Sequence, residues 1–182
     1  MRRNRQGTLT VIAGPMFAGK SAALIARARQ HGDAVLALKP AFDNRLAHDV
    51  IASRDSASIP ALAIAAWPSE AAAHPVLVLD EAQFMASPHY AGDVVADIMD
   101  ALAQGASVTV GGLDTDYLRR PFEIMTRLAS VADEHIRLQA RCHVCNQPAI
   151  WTAKKHDTGE VLEVGDTELY EARCDIHWTP PE

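Results

Sequence analysis

Three groups of residues in this 182-residue chain have the types and spacing to do chemistry. The first is the octapeptide Gly14-Pro15-Met16-Phe17-Ala18-Gly19-Lys20-Ser21, which fits G-x-x-x-x-G-K-[ST] at every fixed position. Such a loop cradles phosphates with inward-pointing backbone N–H groups. The lysine neutralises the β- and γ-phosphates, and the hydroxyl sits on Mg²⁺. The second is Asp80-Glu81, directly after the aliphatic run Val76 to Leu79. An acid at the tip of a parallel strand faces the ligand crevice of an open α/β sheet. Asp80 there holds Mg²⁺, and Glu81 can take a proton from whatever attacks the γ-phosphate. The pair alone leaves the attacking group open, since an alcohol and a water are equally good proton donors. The third group is Cys142-x2-Cys145 with Cys174-x2-His177, three thiolates and one imidazole in the paired spacing of a structural zinc site.

These groups need elements to position them. Thr8 to Ala13 is β-prone, and Ser21 to Gln30 has helical composition and spacing, so the octapeptide lies between strand and helix. Strands are predicted at Ala34 to Lys39, Ile59 to Ala66, Val76 to Leu79, Ser107 to Val110 and Glu134 to Arg141. Helices are predicted at Gly92 to Gln104 and Pro121 to Val131, a helical turn at Pro68 to Ala73, and loop from Pro40 to Ser58. This alternation predicts an α/β phosphate-loop NTPase-like domain over residues 1–140, with a parallel sheet and flanking helices. From Arg141 the texture changes to short alternating runs, Ala149 to Ala153, Val161 to Val164 and Glu168 to Arg173. Residues 141–182 therefore read as a small antiparallel β unit, too small to hold itself together without the zinc staple. His143, between the first two cysteines, is expected to point away from the metal. The glycine-rich segment from Gly111 to Tyr117, ending at Pro121-Phe122, could wrap a flat ligand.

Composition narrows the function classes. An apolar content of 48% supports a folded core, and a net charge of −6 argues against a dedicated nucleic-acid binder. Three cysteines make a poor disulfide inventory and suit a reducing compartment. The basic start MRRNRQG is not followed by an apolar run long enough for a signal peptide or membrane span. A cytoplasmic protein without membrane attachment is the expectation.

With these residues in view, the chain resembles the zinc-containing thymidine kinases of the phosphate-loop type from Thr8 to about Trp178. The markers come in order: GPMFAGKS, KPAFDNR at 39–45, SR at 53–54, DEAQF at 80–84, GLDTDY at 112–117 and RPF at 120–122. CHVC and CDIH follow, with Tyr170 four residues before Cys174. The resemblance implies that Gly14 to Ser21 bind the ATP phosphates, joined on the nucleotide and Mg²⁺ side by Asp80, Ala82 and Gln83. Asp43 and Arg45 then lie near the triphosphate, and Glu81 is the general base for the nucleoside 5′-hydroxyl. Met16, Phe84, Leu113, Tyr117, Phe122 and Thr152 line the thymidine pocket. Gly112 to Phe122 forms a lasso-like lid over the base, and Tyr170 closes the pocket from the zinc unit. A cytoplasmic homotetramer inhibited by dTTP is also implied.

The chain departs from that pattern at a few positions. Ala18 stands where serine is common, Tyr117 for a frequent phenylalanine, and Lys154 for arginine. Asp166 takes the place of a second glycine, and Asp175 of an arginine after the third cysteine. Two other classes predict different behaviour. A remodelling ATPase would release ADP without any nucleoside, and a zinc-stapled module using ATP as a switch would bind nucleotide without turnover.

Overall fold

A computed structural model of the chain describes residues 6–43, 49–160, 163 and 165–181. Its regular elements are β1 (Leu9–Ala13), α1 (Lys20–Arg29), β2 (Val35–Pro40), β3 (Val50–Ala52), β4 (Ser58–Pro60), β5 (Leu62–Ile64) and β6 (Val76–Leu79). They continue with α2 (Val94–Ala103), β7 (Ser107–Gly112), α3 (Glu123–Val131), β8 (Glu134–Arg137), β9 (Ala140–Arg141), β10 (Pro148–Ala149), β11 (Trp151–Lys154) and β12 (Tyr170–Arg173). Six strands form one sheet in the order β5-β2-β6-β7-β1-β8, every neighbouring pair parallel.

The central strands are covered on both faces, which is why β6 reads as an unbroken aliphatic run. On one face Leu24, Ile25 and Ala28 of α1 pack on Ile12, Ala37 and Val78, and Ile51 of β3 joins them. On the other, Val94, Ile98 and Leu102 of α2 and Leu128 of α3 cover Val11, Leu38, Leu79 and Val110. Because β1 and β6 both end at the same edge of a parallel sheet, the loop after β1 and the carboxylates after β6 meet there.

The sheet, the first helix and the helices at 94–103 and 123–131 fall where the periodicity places them. Five local readings change. The run expected as one strand from Ile59 to Ala66 splits: β4 pairs with β3, and only β5 joins the main sheet, beside β2. The run from Ala149 to Ala153 splits likewise between β10, paired with β9, and β11, paired with β12. The stretch expected as loop from Pro40 to Ser58 contains β3, which pairs antiparallel with β4 around a Ser53–Ala57 turn. Strands of three residues are too short to show a period. The run from Glu134 to Arg141 is not one strand: β8 pairs with β1, whereas β9 turns away to pair with β10. Gly111 and Gly112 end β7 instead of forming a loose loop. A Cβ at Gly112 would lie 2.7 Å from both Gln83 Oε1 and Met125 Sδ, so a larger residue would have to displace the ends of these two side chains. In the C-terminal unit β11 pairs antiparallel with β12. Most of the strand expected at Val161 to Val164, and Arg45, lie outside the described residues.

Candidate functional site

The phosphate loop leaves β1 at Gly14, whose φ of 152° and approach to Leu138 exclude a side chain: a Cβ there would sit 2.5 Å from a carbonyl oxygen. Phe17 and Gly19 also take positive φ, 67° and 84°, which curls the chain into the first turn of α1. Lys20 is buried and its Nζ donates to the Pro15 carbonyl at 2.7 Å, folding the lysine back over its own loop. A cleft of about 720 Å³ opens in front, lined among others by Lys20, Ser21, Lys39, Asp43, Arg54 and Asp80. Lys39 and Arg54 lie within the motif stretches 39–45 and 53–54, where sequence reading had assigned them no role. Asp166 reaches the same cleft from the C-terminal unit and pairs with Arg54.

The carboxylates stand at the mouth of this cleft. Asp80 is buried; one carboxylate oxygen accepts from the Ser21 hydroxyl at 2.7 Å and the other from the Glu81 N–H at 2.9 Å. Burial, and next the Glu81 charge, raise Asp80 to about 6, against the opposing pull of the Ser21 hydrogen bond and the Lys20 charge. A hydroxyl and a buried carboxylate facing one another beside a cationic loop form a donor set that fits Mg²⁺, which prefers a few hard oxygens and phosphate oxygens.

Glu81 itself sits in the left-handed region, φ 52°, at the start of a short 3₁₀ turn over Ala82–Phe84. Gln83 holds the Glu81 carboxylate in place: its Nε2 donates to Glu81 Oε2 at 2.5 Å, while its Oε1 accepts from the Leu113 N–H at 3.0 Å. Both faces of one buried amide are thereby used. Ala82 is fully buried beneath, part of the core, and acts through the backbone of this turn.

A second, smaller cavity adjoins the cleft. Met16, Phe84, Leu113, Tyr117, Phe122, Thr152 and Tyr170, the seven residues expected around a flat base, all line it. Thr115 and Asp116, within the GLDTDY stretch but given no individual role there, line it too, as do Glu163 and Gly165. Its volume is about 30 Å³, room for about one or two waters, so a larger ligand requires the lining side chains to move apart. Thr152 Oγ1 accepts the Met16 N–H at 3.0 Å, tying this pocket's floor to the phosphate loop. Glu81 and Met16 line both cavities.

Cys142, Cys145, Cys174 and His177 converge, with their ligand atoms all within 4.8 Å of one another. Cys145 Sγ lies 3.8 Å from Cys174 Sγ, and His177 Nδ1 lies 3.9 Å from Cys142 Sγ and 3.2 Å from Cys174 Sγ. These are close to the edges of a tetrahedron around a zinc ion with Zn–S of about 2.3 Å and Zn–N of about 2.0–2.1 Å. Burial raises the Cys142 thiol, but backbone N–H donors from Cys174, Cys145 and Val144 outweigh it and bring it down to about 6. The thiolate a metal needs is thus available at neutral pH. His143 stays out of the set, as expected, but it is not idle. Its Nδ1 accepts from the Ala172 N–H at 3.0 Å and its ring meets Phe17 edge-on at 5.1 Å, fastening the tip of the phosphate loop to this unit.

Against this geometry the comparisons with known proteins are specific. The thymidine kinase family model matches residues 7–178. The chain belongs to the thymidine kinase family. It is 35% identical to a thymidine kinase of Coprothermobacter proteolyticus, over 97% of this chain and 93% of that one. It is 32% identical to a thymidine kinase of Mycoplasma mobile, covering 95% and 88%, and to thymidine kinase a of Arabidopsis thaliana, covering 98% and 77%. The family match runs through both cavities and the Cys₃His cluster, so one family accounts for the phosphate loop and the C-terminal unit together. No helix among the described residues is long and apolar enough to cross a membrane.

Proposed function

We propose that this protein transfers the γ-phosphoryl group of Mg-ATP to the 5′-hydroxyl of thymidine, and of deoxyuridine, giving dTMP or its uracil counterpart for nucleotide salvage. The observation that carries this reading is the place of Glu81, whose side chain borders the large polar cleft and the small aromatic-lined pocket at once. A triphosphate in the first and a nucleoside in the second would present the γ-phosphorus and the sugar hydroxyl to one carboxylate.

In this mechanism the backbone N–H groups of Gly14 and of residues 16–21, together with Lys20, hold the β- and γ-phosphates, and the family resemblance adds Asp43 and Arg45 on the triphosphate side. Glu81 accepts the 5′-O–H proton as the oxygen forms its bond to the γ-phosphorus and the bond to the bridging oxygen breaks, releasing ADP. Ser21 and Asp80 would hold Mg²⁺, which neutralises phosphate charge when bound. Because the transferring group carries spread negative charge, most of the acceleration comes from positioning and electrostatics. Met16, Phe84, Leu113, Tyr117, Phe122, Thr152 and Tyr170 enclose the base. Cys142, Cys145, Cys174 and His177 would hold a structural zinc that substitutes for the core the 141–182 unit lacks. We extend the proposal to dTTP feedback, since a base in the small pocket and a triphosphate in the adjoining cleft could be occupied by one molecule. A cytoplasmic homotetramer is the assembly proposed from the family resemblance, and sedimentation velocity tests it.

The test of function is ADP release from Mg-ATP with and without thymidine. Thymidine-dependent release with dTMP as co-product is expected. Release that ignores thymidine would replace the kinase with an ATPase.

A further inference from the structure

Arg119 takes a backbone conformation that arginine seldom adopts, φ 64°, on the segment between Leu113 and Pro121. A bulky residue held in the left-handed region marks a place where surrounding contacts outweigh backbone preference. Those contacts are visible. The guanidinium carbon lies 4.3 Å from the ring centre of Trp151 and 4.1 Å from that of Trp178, so the cation lies over both indole rings. Asp175 completes the group: it accepts from the Trp151 indole N–H at 2.7 Å and stands 3.8 Å from Arg119 Nη2. That carboxylate is largely exposed, so the stacking outweighs the ion pair.

The turn that presents Arg119 is rigid. Asp116 is buried and accepts from the backbone N–H groups of Leu118 and Arg120 and from Arg120 Nε, at 2.8–2.9 Å. Thr115 and Pro121 bridge across its neck. Tyr117, inside this turn, faces the small pocket. One face of the turn thus presents a ring to the nucleoside pocket while Arg119 grips two tryptophans of the C-terminal unit. Trp151 immediately precedes Thr152, the residue that floors that pocket and binds Met16.

We propose that Arg119 is a positioning residue: it fastens the 113–121 segment onto the Cys₃His unit and thereby sets affinity for the nucleoside, without touching the reacting atoms. This rests on the thymidine kinase reading. Asp175, which departs from the arginine implied at that position, is the matching half of the clamp in this chain.

The experiment compares wild type, Arg119→Gly and Arg119→Lys in steady-state kinetics with thymidine and ATP varied separately, alongside tryptophan emission and bound-zinc content. Glycine is at ease at φ 64°, so it removes the side chain while relieving the backbone. Arg119→Gly is expected to raise KM for thymidine roughly tenfold through loss of two stacking contacts, with kcat and the KM for ATP within about twofold. Its emission should move to longer wavelength as Trp151 and Trp178 meet water. Arg119→Lys keeps the charge without the planar stack and should fall between the two. An unchanged KM for thymidine in an active, zinc-replete glycine variant would overturn the clamp alone, as would an equal rise in both KM values. A wild-type protein inert towards thymidine would overturn the kinase reading and the clamp with it.

Discussion

Replacing Glu81 by Gln isolates proton acceptance from shape. The two side chains are isosteric, and the carboxamide oxygen of the variant can accept from Gln83 Nε2 as the carboxylate does at 2.5 Å. Gln83 cannot turn round to meet a wrong partner, because its own oxygen is committed to the Leu113 N–H. Substrate binding should therefore persist, with KM for thymidine and ATP within about threefold. Loss of the base is expected to lower kcat by about 10²–10⁴-fold, equivalent to about 2.7–5.4 kcal/mol of transition-state stabilisation. Weaker metal binding is a separate route to such a loss, and measuring kcat at saturating Mg²⁺ separates the two. The Glu81 charge is the second cause that raises Asp80, so removing it lets Asp80 ionise more readily. A coupled ADP assay at saturating thymidine measures kcat, and direct titration of each substrate checks binding. Turnover within about fivefold of wild type would refute the role, and so would a fall arising wholly in KM.

Other expectations test the supports. Thr152→Val leaves the Met16 N–H without its buried acceptor, which should cost about 1–3 kcal/mol and raise KM for both substrates; unchanged ATP kinetics would deny the coupling between pocket floor and phosphate loop. Cys174→Ser, or chelation of wild type, should release one zinc per chain and raise KM for thymidine more than for ATP, with metal content measured by atomic absorption. Asp93 caps α2 by accepting from the Val95 N–H and meets Arg127 of α3 at 2.5 Å. Asp93→Ala should lower stability by about 1–2 kcal/mol, mostly from the cap, read as a drop in Tm. The Arg127 hydrogen bond holds the Asp93 carboxyl below its ordinary range. Its ion-pair contribution is therefore present above about pH 4 and lost as the pH falls through the lower folded value. The Tm gap between wild type and Asp93→Asn should shrink on that same descent.

Much of this molecule is legible in its residues. The octapeptide, the Asp80-Glu81 pair and the four zinc-type ligands are short-range patterns whose chemistry requires fixed residue types at fixed spacing, so one chain suffices to find them. The aliphatic run of β6 declares a strand covered on both faces, and a parallel order then brings its C-terminal end beside that of β1. What only the tertiary structure decided are the relations between distant segments. Glu81 borders two cavities because Gln83 bridges it to Leu113, thirty positions along the chain. Arg119 lies over Trp151 and Trp178, and Arg54 pairs with Asp166. The three-residue strands β3 and β4 exist through each other. Pairings of this kind leave no periodic trace, because each partner is an ordinary polar or aromatic residue until the fold sets its opposite beside it.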